Sequence, residues 1–185
     1  MNPGTLRLTG GTARGAKLFS IPGKDVRPAL ARMRTSVFEI LRPRLEGARV
    51  LDLFAGTGCL GLEALSRGAE VAVFHDTDPR CLEAITRNLK KLRFSGVVAG
   101  RDAFGESPAD APFDLIFVDP PYEYFVKRAE EMRRLVEGLL ARAVAADGLV
   151  LVEHRPKEGY GEVAGGRIVD ERRYGGTVVT FYARA

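Results

Sequence analysis

The stretch Arg49-Val50-Leu51-Asp52-Leu53-Phe54-Ala55-Gly56-Thr57-Gly58-Cys59-Leu60-Gly61-Leu62-Glu63-Ala64-Leu65 does most to limit what this chain can become. It opens as an apolar run of the kind buried on both faces of a parallel sheet, turns through glycines, and continues as a helix from about Cys59. Strand, glycine bend and helix in that order make the first half of a βαβ unit, so a parallel sheet covered by helices is expected. Gly56, Gly58 and Gly61 have the G-x-G-x-x-G spacing that also occurs in dinucleotide sites. Here, however, the acidic residue Asp52 precedes the glycines. The turn from Phe54 through Ala55, Gly56 and Thr57 to Gly58 therefore suits a ligand bearing an α-amino acid group. Its carboxylate would face the turn amides and the helix amino end, and its ammonium Asp52. S-adenosylmethionine carries both groups. Cys59 is read as a small buried residue at the helix start, not as a nucleophile.

Later strands end in residues of related chemistry. Val71-Ala72-Val73-Phe74 is followed by His75-Asp76-Thr77-Asp78, and Asp76 lies 24 positions after Asp52. That is where a ribose-binding carboxylate is expected after a βαβ unit. Asp78 is the alternative for that role, or else the cap of a helix from about Pro79 to Leu92. A third strand from Ser95 to Gly100 leads to Asp102-Ala103, where a carboxylate suits the amine of an adenine ring. The apolar run Phe113-Asp114-Leu115-Ile116-Phe117-Val118 then delivers Asp119-Pro120-Pro121-Tyr122 to a strand's carboxyl end. Two prolines stiffen that turn and leave its carbonyls free to accept. With the Asp119 carboxylate and the flat Tyr122 ring, the tetrapeptide can hold the two hydrogens of an exocyclic amine on a stacked nucleobase.

The remaining pattern completes the sheet. A helix is expected over Phe125 to Ala145, then a fifth strand Leu149–Glu153 with Gly148 breaking the chain before it. Arg167-Ile168-Val169 and Thr177–Tyr182 follow without a crossover helix, so antiparallel pairing at the sheet edge is expected. Near the start, Thr5–Thr9 and Ala16–Ile21 read as a short hairpin around Gly10-Gly11 and Gly15, the glycines allowing close approach to a phosphate backbone. Arg27-Pro28 opens a helix with Leu30, Met33, Val37, Ile40 and Leu41 on one face, ended by Pro43. The first 49 residues hold ten Lys and Arg against three acidic residues, net +7, which leaves −3 for the rest of a chain whose total is +4. That division predicts a basic arm for a polyanion, with Arg14, Lys17, Arg27, Arg32 and Arg34 as its contacts. The domain boundaries expected are 1–46 for the basic extension and 47–185 for the main body. Two cysteines and two scattered histidines argue against a metal centre or a disulfide framework. The lack of a long apolar run or signal core predicts a cytoplasmic protein without membrane attachment, and the lack of a visible dimerisation segment predicts a monomer.

With these residues in place, the sequence resembles the class I S-adenosylmethionine-dependent methyltransferases. Within them it resembles the bacterial RsmD family, which methylates guanine N2 in 16S ribosomal RNA. The likeness covers nearly the whole chain. It runs through Gly10-Gly11, Arg14-Gly15, Arg27-Pro28, Leu51–Gly58, Gly61–Ala69, Phe113–Tyr122 and Arg173-Tyr174-Gly175. It implies a Rossmann-like seven-stranded sheet with helices on both faces and antiparallel last strands. It also implies S-adenosylmethionine as cofactor, and ribosomal RNA or a partly assembled small ribosomal subunit as partner. The reaction implied is direct in-line transfer to the family site, guanine 966, with Asp119, Pro120, Pro121 and Tyr122 gripping the base. Adenine N6 in DNA or a protein glutamine presents a similar planar amine and is the alternative substrate; a non-catalytic RNA-binding module is the alternative role.

Overall fold

The computed structural model describes residues 6–21, 28–105 and 112–185. Its elements in chain order are α1 (Pro28–Leu41), a short 3₁₀ turn, β1 (Arg49–Leu53), α2 (Cys59–Ser66), β2 (Val71–His75), α3 (Pro79–Leu92), β3 (Gly96–Ala99), β4 (Phe113–Val118), α4 (Tyr124–Lys127), α5 (Ala129–Arg142), β5 (Val144–His154), β6 (Gly166–Tyr174) and β7 (Thr177–Arg184). The seven strands form one sheet in the order β3-β2-β1-β4-β5-β7-β6. β1 to β5 pair in parallel, and β7 runs antiparallel to both β5 and β6. This is the expected class I methyltransferase sheet.

Alternate residues of each inner strand feed two separate cores, which is why these strands read as unbroken apolar runs. Val50, Ala72, Phe74, Leu115, Phe117 and Leu151 join Phe38, Leu62, Ile85 and Leu89 on the face covered by α1, α2 and α3. Leu51, Leu53, Val73, Ile116, Val118, Val150 and Val152 join Met132, Val136, Leu139 and Leu140 of α5 on the other. After β3, the chain returns past β2 to lay β4 beside β1. Strand order reverses there, and a crevice opens outside the carboxyl ends of such strands.

Residues 6–21 lie against the first of these faces, with Leu6, Leu8 and Leu18 in its core. They form the expected hairpin in reduced form: one antiparallel bridge, Arg7 to Lys17, with backbone bonds from Leu8 N–H to the Ala16 carbonyl and from Leu18 N–H to the Leu6 carbonyl. Gly10 and Gly11 are fitted closely against α2 and the residue after it, whereas Gly15 has open space where a side chain would be. At Gly11 (φ 73°) an added Cβ would fall 1.7 Å from the Ser66 carbonyl oxygen. The Thr12 N–H donates to that same oxygen at 2.7 Å, and the Ser66 hydroxyl donates to the Gly10 carbonyl at 2.7 Å. Glu63, fully buried on α2, accepts from the Thr9 amide and hydroxyl and from Arg67.

Three sequence expectations are corrected. The long helix after the Asp-Pro-Pro-Tyr turn is two, interrupted at Arg128 (φ −130°), whose side chain folds over Phe104 and pairs with Glu131. β5 starts at Val144, so Gly148 lies within the strand. A bulge between Phe113 and Leu115 accommodates the added residues, and a Cβ at Gly148 would fall 2.8 Å from the Asp114 carbonyl. β6 is nine residues long instead of three; its charged, mostly exposed run Asp170-Glu171-Arg172-Arg173 hides the strand signal.

Gly61 shows how tightly the glycine bend is fitted. A Cβ there would lie 2.3 Å from the ring of Phe74, which is fully buried. Gly61→Ala should therefore strain the core by about 1–3 kcal/mol. The midpoint of thermal unfolding should fall by roughly 3–10 °C in calorimetry. An unchanged midpoint would mean that Phe74 has room to move.

Candidate active site

The crevice at the carboxyl ends of β1, β2, β3, β4 and β5 is a cavity of about 570 Å³, a volume suited to a nucleoside-sized ligand. Its residues come from each of those strand ends: Phe54, Ala55, Gly56 and Thr57 after β1, Asp76 and Asp78 after β2, Asp102 and Ala103 after β3, Asp119 to Tyr122 after β4, and Glu153 near the end of β5. Parallel register sets this convergence. Leu53 pairs with His75 on one side and with Val118 on the other, so the glycine bend and the proline turn leave the sheet side by side.

The bend is held in a conformation that is costly at Phe54. Phe54 has φ 60° without being glycine, and Gly56 and Gly58 have φ 57° and 77°. Asp76 fixes it, one carboxylate oxygen accepting from the Gly56 N–H at 2.7 Å and the other from the Asp78 N–H at 2.9 Å. Both oxygens keep further lone pairs, which is the requirement for receiving ribose hydroxyls. Asp78 instead caps α3, accepting from the Arg80 amide at 2.9 Å while pairing with the Arg80 guanidinium at 2.7 Å. Of the two aspartates, Asp76 thus ties the bend and Asp78 ties the start of α3. Asp102 accepts from the Phe104 amide at 3.1 Å and remains exposed on the cavity rim.

Asp52 lies on β1, one residue before its end. It is 1% exposed, it does not line the cavity, and its carboxylate accepts from the Gly61 N–H at 2.9 Å. It braces the start of α2 through that bond. Gly58 is likewise buried behind the wall, packed 3.0 to 3.4 Å from Ile85 and Phe74 by the position of its missing Cβ. Burial pushes the Asp52 carboxyl up to about 7; the Gly61 amide holds it back and the charge of Asp76 adds to it.

The other half of the site is stiff. The Tyr122 hydroxyl donates to Glu153 at 3.1 Å and lies 3.1 Å from the Thr177 hydroxyl, while the Arg155 guanidinium sits 4.6 Å from the ring centroid. Burial raises the Tyr122 hydroxyl above its ordinary range, against the Thr177 hydrogen bond, so it stays a protonated donor at neutral pH. One ring is therefore oriented by three partners before any base arrives. Burial also pushes the Cys59 thiol up to about 12; Arg34 opposes that, and Asp52, Asp119 and Glu153 reinforce it. A thiol held neutral in this way is no nucleophile.

Sequence reasoning missed Glu153, Tyr124 and Arg128. Glu153 had a signal: it closes the apolar run Leu149–Val152 just as Asp119 closes its own. Tyr124 packs edge-on against Phe54 with centroids 6.0 Å apart, and Arg128 covers Phe104 at 3.7 Å; these aromatic and cationic walls follow from the break between α4 and α5. Of the basic residues expected at a polyanion, Arg14, Lys17 and Arg32 are exposed, Arg34 is buried, and Arg27 lies outside the described residues. Among the described residues no cluster of side chains could hold a metal ion, and no helix is long and apolar enough to cross a membrane.

Comparison with known proteins places this geometry in context. The family model described as conserved hypothetical protein 95 matches residues 6–183. The Bacillus subtilis protein YlbH is 30% identical over 97% of this chain and 99% of its own length. Ribosomal RNA small subunit methyltransferase D of Escherichia coli (strain K12) is 36% identical over 64% of this chain. That alignment spans only 61% of the Escherichia coli enzyme. The solved structure of the Escherichia coli protein yhhF superposes with a TM-score of 0.83 at 32% identity, covering 98% of both chains.

The raised Asp52 carboxyl has a consequence for stability. Between about pH 4 and 7 the folded chain keeps a proton that the unfolded chain has lost, given the ordinary value of 3.8. Stability from Asp52 is thus full below about pH 4 and lost as the pH rises through about 7. Asp52→Asn keeps an acceptor for Gly61 and should flatten that decline, raising the unfolding midpoint at pH 8 by roughly 3–8 °C. Thermal melts from pH 5 to 8 check this; parallel curves for the two proteins would mean Asp52 is ionised throughout.

Proposed function

The chain belongs to the conserved hypothetical protein 95 family, the RsmD family of methyltransferases, and from that footing we propose that it methylates the exocyclic N2 amine of a guanine in 16S ribosomal RNA. The cofactor is S-adenosylmethionine. The observation that carries the reading is the side-by-side exit of the glycine bend and the Asp119-Pro120-Pro121-Tyr122 turn from adjacent parallel strands into one cavity. An amine-methylating enzyme requires that juxtaposition of a cofactor seat with a pair of amine acceptors.

The residues present fit the cofactor. Asp76 has lone pairs for the ribose hydroxyls, Asp102 and Ala103 stand at the far rim for the adenine, and the bend from Phe54 to Thr57 presents backbone toward the amino acid portion. Phe54 and Tyr124 supply apolar walls between. Bound there, S-adenosylmethionine supplies an electrophilic methyl on a sulfonium.

The chain's own contribution is position. Asp119 and the Pro120 carbonyl accept the two amine hydrogens, which orients the nitrogen lone pair. The Tyr122 ring, held through its hydroxyl by Glu153 and Thr177, gives the flipped base a fixed face to stack on. The exposed Arg14, Lys17 and Arg32 serve the RNA backbone, whose phosphates need no fixed geometry from them. The substrate is the family site, guanine 966, in RNA or in a partly assembled small subunit.

Two measurements test this. Tritium from labelled cofactor should enter small-subunit ribosomal RNA, with the modified nucleotide mapped by primer extension and mass spectrometry; label in DNA or protein instead would replace the substrate named here. Asp119→Ala should lower turnover by about 10²–10³-fold while cofactor affinity measured by calorimetry stays within about threefold. Unimpaired turnover would remove Asp119 from the role.

A further inference from the structure

The end of β5 sets a cation beside the proline turn. β5 continues past the Val118–Val152 pair through Glu153 and His154, so its last residues stand next to Asp119-Pro120-Pro121-Tyr122. Alternate residues of a strand share a face. Glu153 accordingly takes the Tyr122 hydroxyl, and Arg155, two positions on, holds its guanidinium 4.6 Å from the centroid of the same ring. Arg155 is exposed and is not part of the cavity wall. It therefore stands at the mouth, beside a ring that the cavity includes. Arg128, Arg133, Arg134 and Arg172 each pair with a carboxylate on their own helix or strand. Among the described residues no carboxylate pairs with Arg155.

The turn carrying this cation is firmly built. The Glu158 N–H donates to the Arg155 carbonyl at 3.1 Å across Pro156-Lys157, and that carbonyl also accepts from the Nδ1–H of the buried His154 at 2.8 Å. Gly159 packs on the His154 ring, where a Cβ would fall 2.7 Å from it. Lys157 has φ 73° at a turn position that ordinarily takes glycine. Residues held in such a conformation cluster at ligand sites. Its exposed side chain is a second cation without an acidic partner among the described residues.

The occupant follows from what the ring receives. A base seated on Tyr122 stays joined to a ribose and its phosphates, and these remain outside, at the mouth. We propose that Arg155 holds the phosphate of the flipped nucleotide and Lys157 the next one along the strand. Arg155 keeps its stack on Tyr122 while its N–H groups turn outward to the diester, a planar donor set suited to phosphate oxygens. This rests on the nucleotide substrate proposed above. The chain then grips RNA from its carboxyl-terminal part as well as from the basic arm, although residues 50–185 carry a net charge of −3.

Binding of the full chain to small-subunit ribosomal RNA, free or partly assembled, measured over a range of salt concentrations tests this. Arg155→Gln should weaken binding about three- to tenfold and lower the slope of log affinity against log salt by roughly 0.7–0.9. Lys157→Asn, whose new side chain tolerates positive φ, should lower the slope by a similar amount, and the two losses should add. Arg155→Lys keeps the charge and should keep the slope. In methyl transfer, Arg155→Gln should raise the KM for RNA more than it lowers turnover at saturation, and cofactor affinity in calorimetry should stay within about threefold. A fall in saturated turnover with the salt slope unmoved would make Arg155 a support for the Tyr122 ring and overturn the proposal; so would an unmoved slope with an unmoved KM. If the unmodified protein transfers no label to RNA, the substrate reading itself falls, and this contact with it.

Discussion

The parallel pairing of β1 with β4 is the constraint on which the rest depends. These strands are distant in sequence, and only the crossover back past β2 makes them neighbours. Leu53 opposite Val118 means that the next residue on each strand leaves the sheet at the same height. A slip of one residue would turn Leu51, Leu53, Ile116 and Val118 out of the core they share with α5. The apolar alternation that buries both faces of the sheet therefore also fixes the register of the site.

On that frame each half of the site is held by bonds made before any ligand arrives. Asp76 ties the bend through the Gly56 and Asp78 amides, and Asp52 ties the start of α2 through Gly61. Glu153 and Thr177 tie Tyr122. The strained φ at Phe54 persists because these bonds over-determine it, and glycine at 56 and 58 lets the rest of the bend take positive φ without strain. Such preorganisation lowers the cost of aligning two reactants. The same logic extends to the amino-terminal segment: Glu63 holds the hairpin onto α2, and α1 brings Arg34 to the cavity wall.

Much of this was legible in the chain. Strands buried on both faces announce themselves as apolar runs, so Val50–Leu53, Val71–Phe74 and Phe113–Val118 could be read directly, along with the polar residues at their ends. What could not be read were directions and partners. Whether an aspartate at a strand end faces ligand or backbone turns on which way one carboxylate points, and Asp52, Asp76 and Asp78 all carry the same sequence signal. Of the glycines expected to face a phosphate, Gly10 is fitted against Arg67 and Gly11 against Ser66 while Gly15 is open, because close approach by a backbone and by a phosphate ask for the same residue type. Strand β6 was mostly hidden because an edge strand exposed to solvent has little apolar pattern to show.

The central claim is that one cavity seats the cofactor against the bend and presents its reacting end to the proline turn. A crystal structure with bound S-adenosylhomocysteine addresses it most directly. The account predicts the ribose on Asp76, the adenine toward Asp102, and the sulfur on the side of Asp119 and Pro120. Density for the ligand at any other surface, or in this cavity with its sulfur turned away from Asp119, would contradict it.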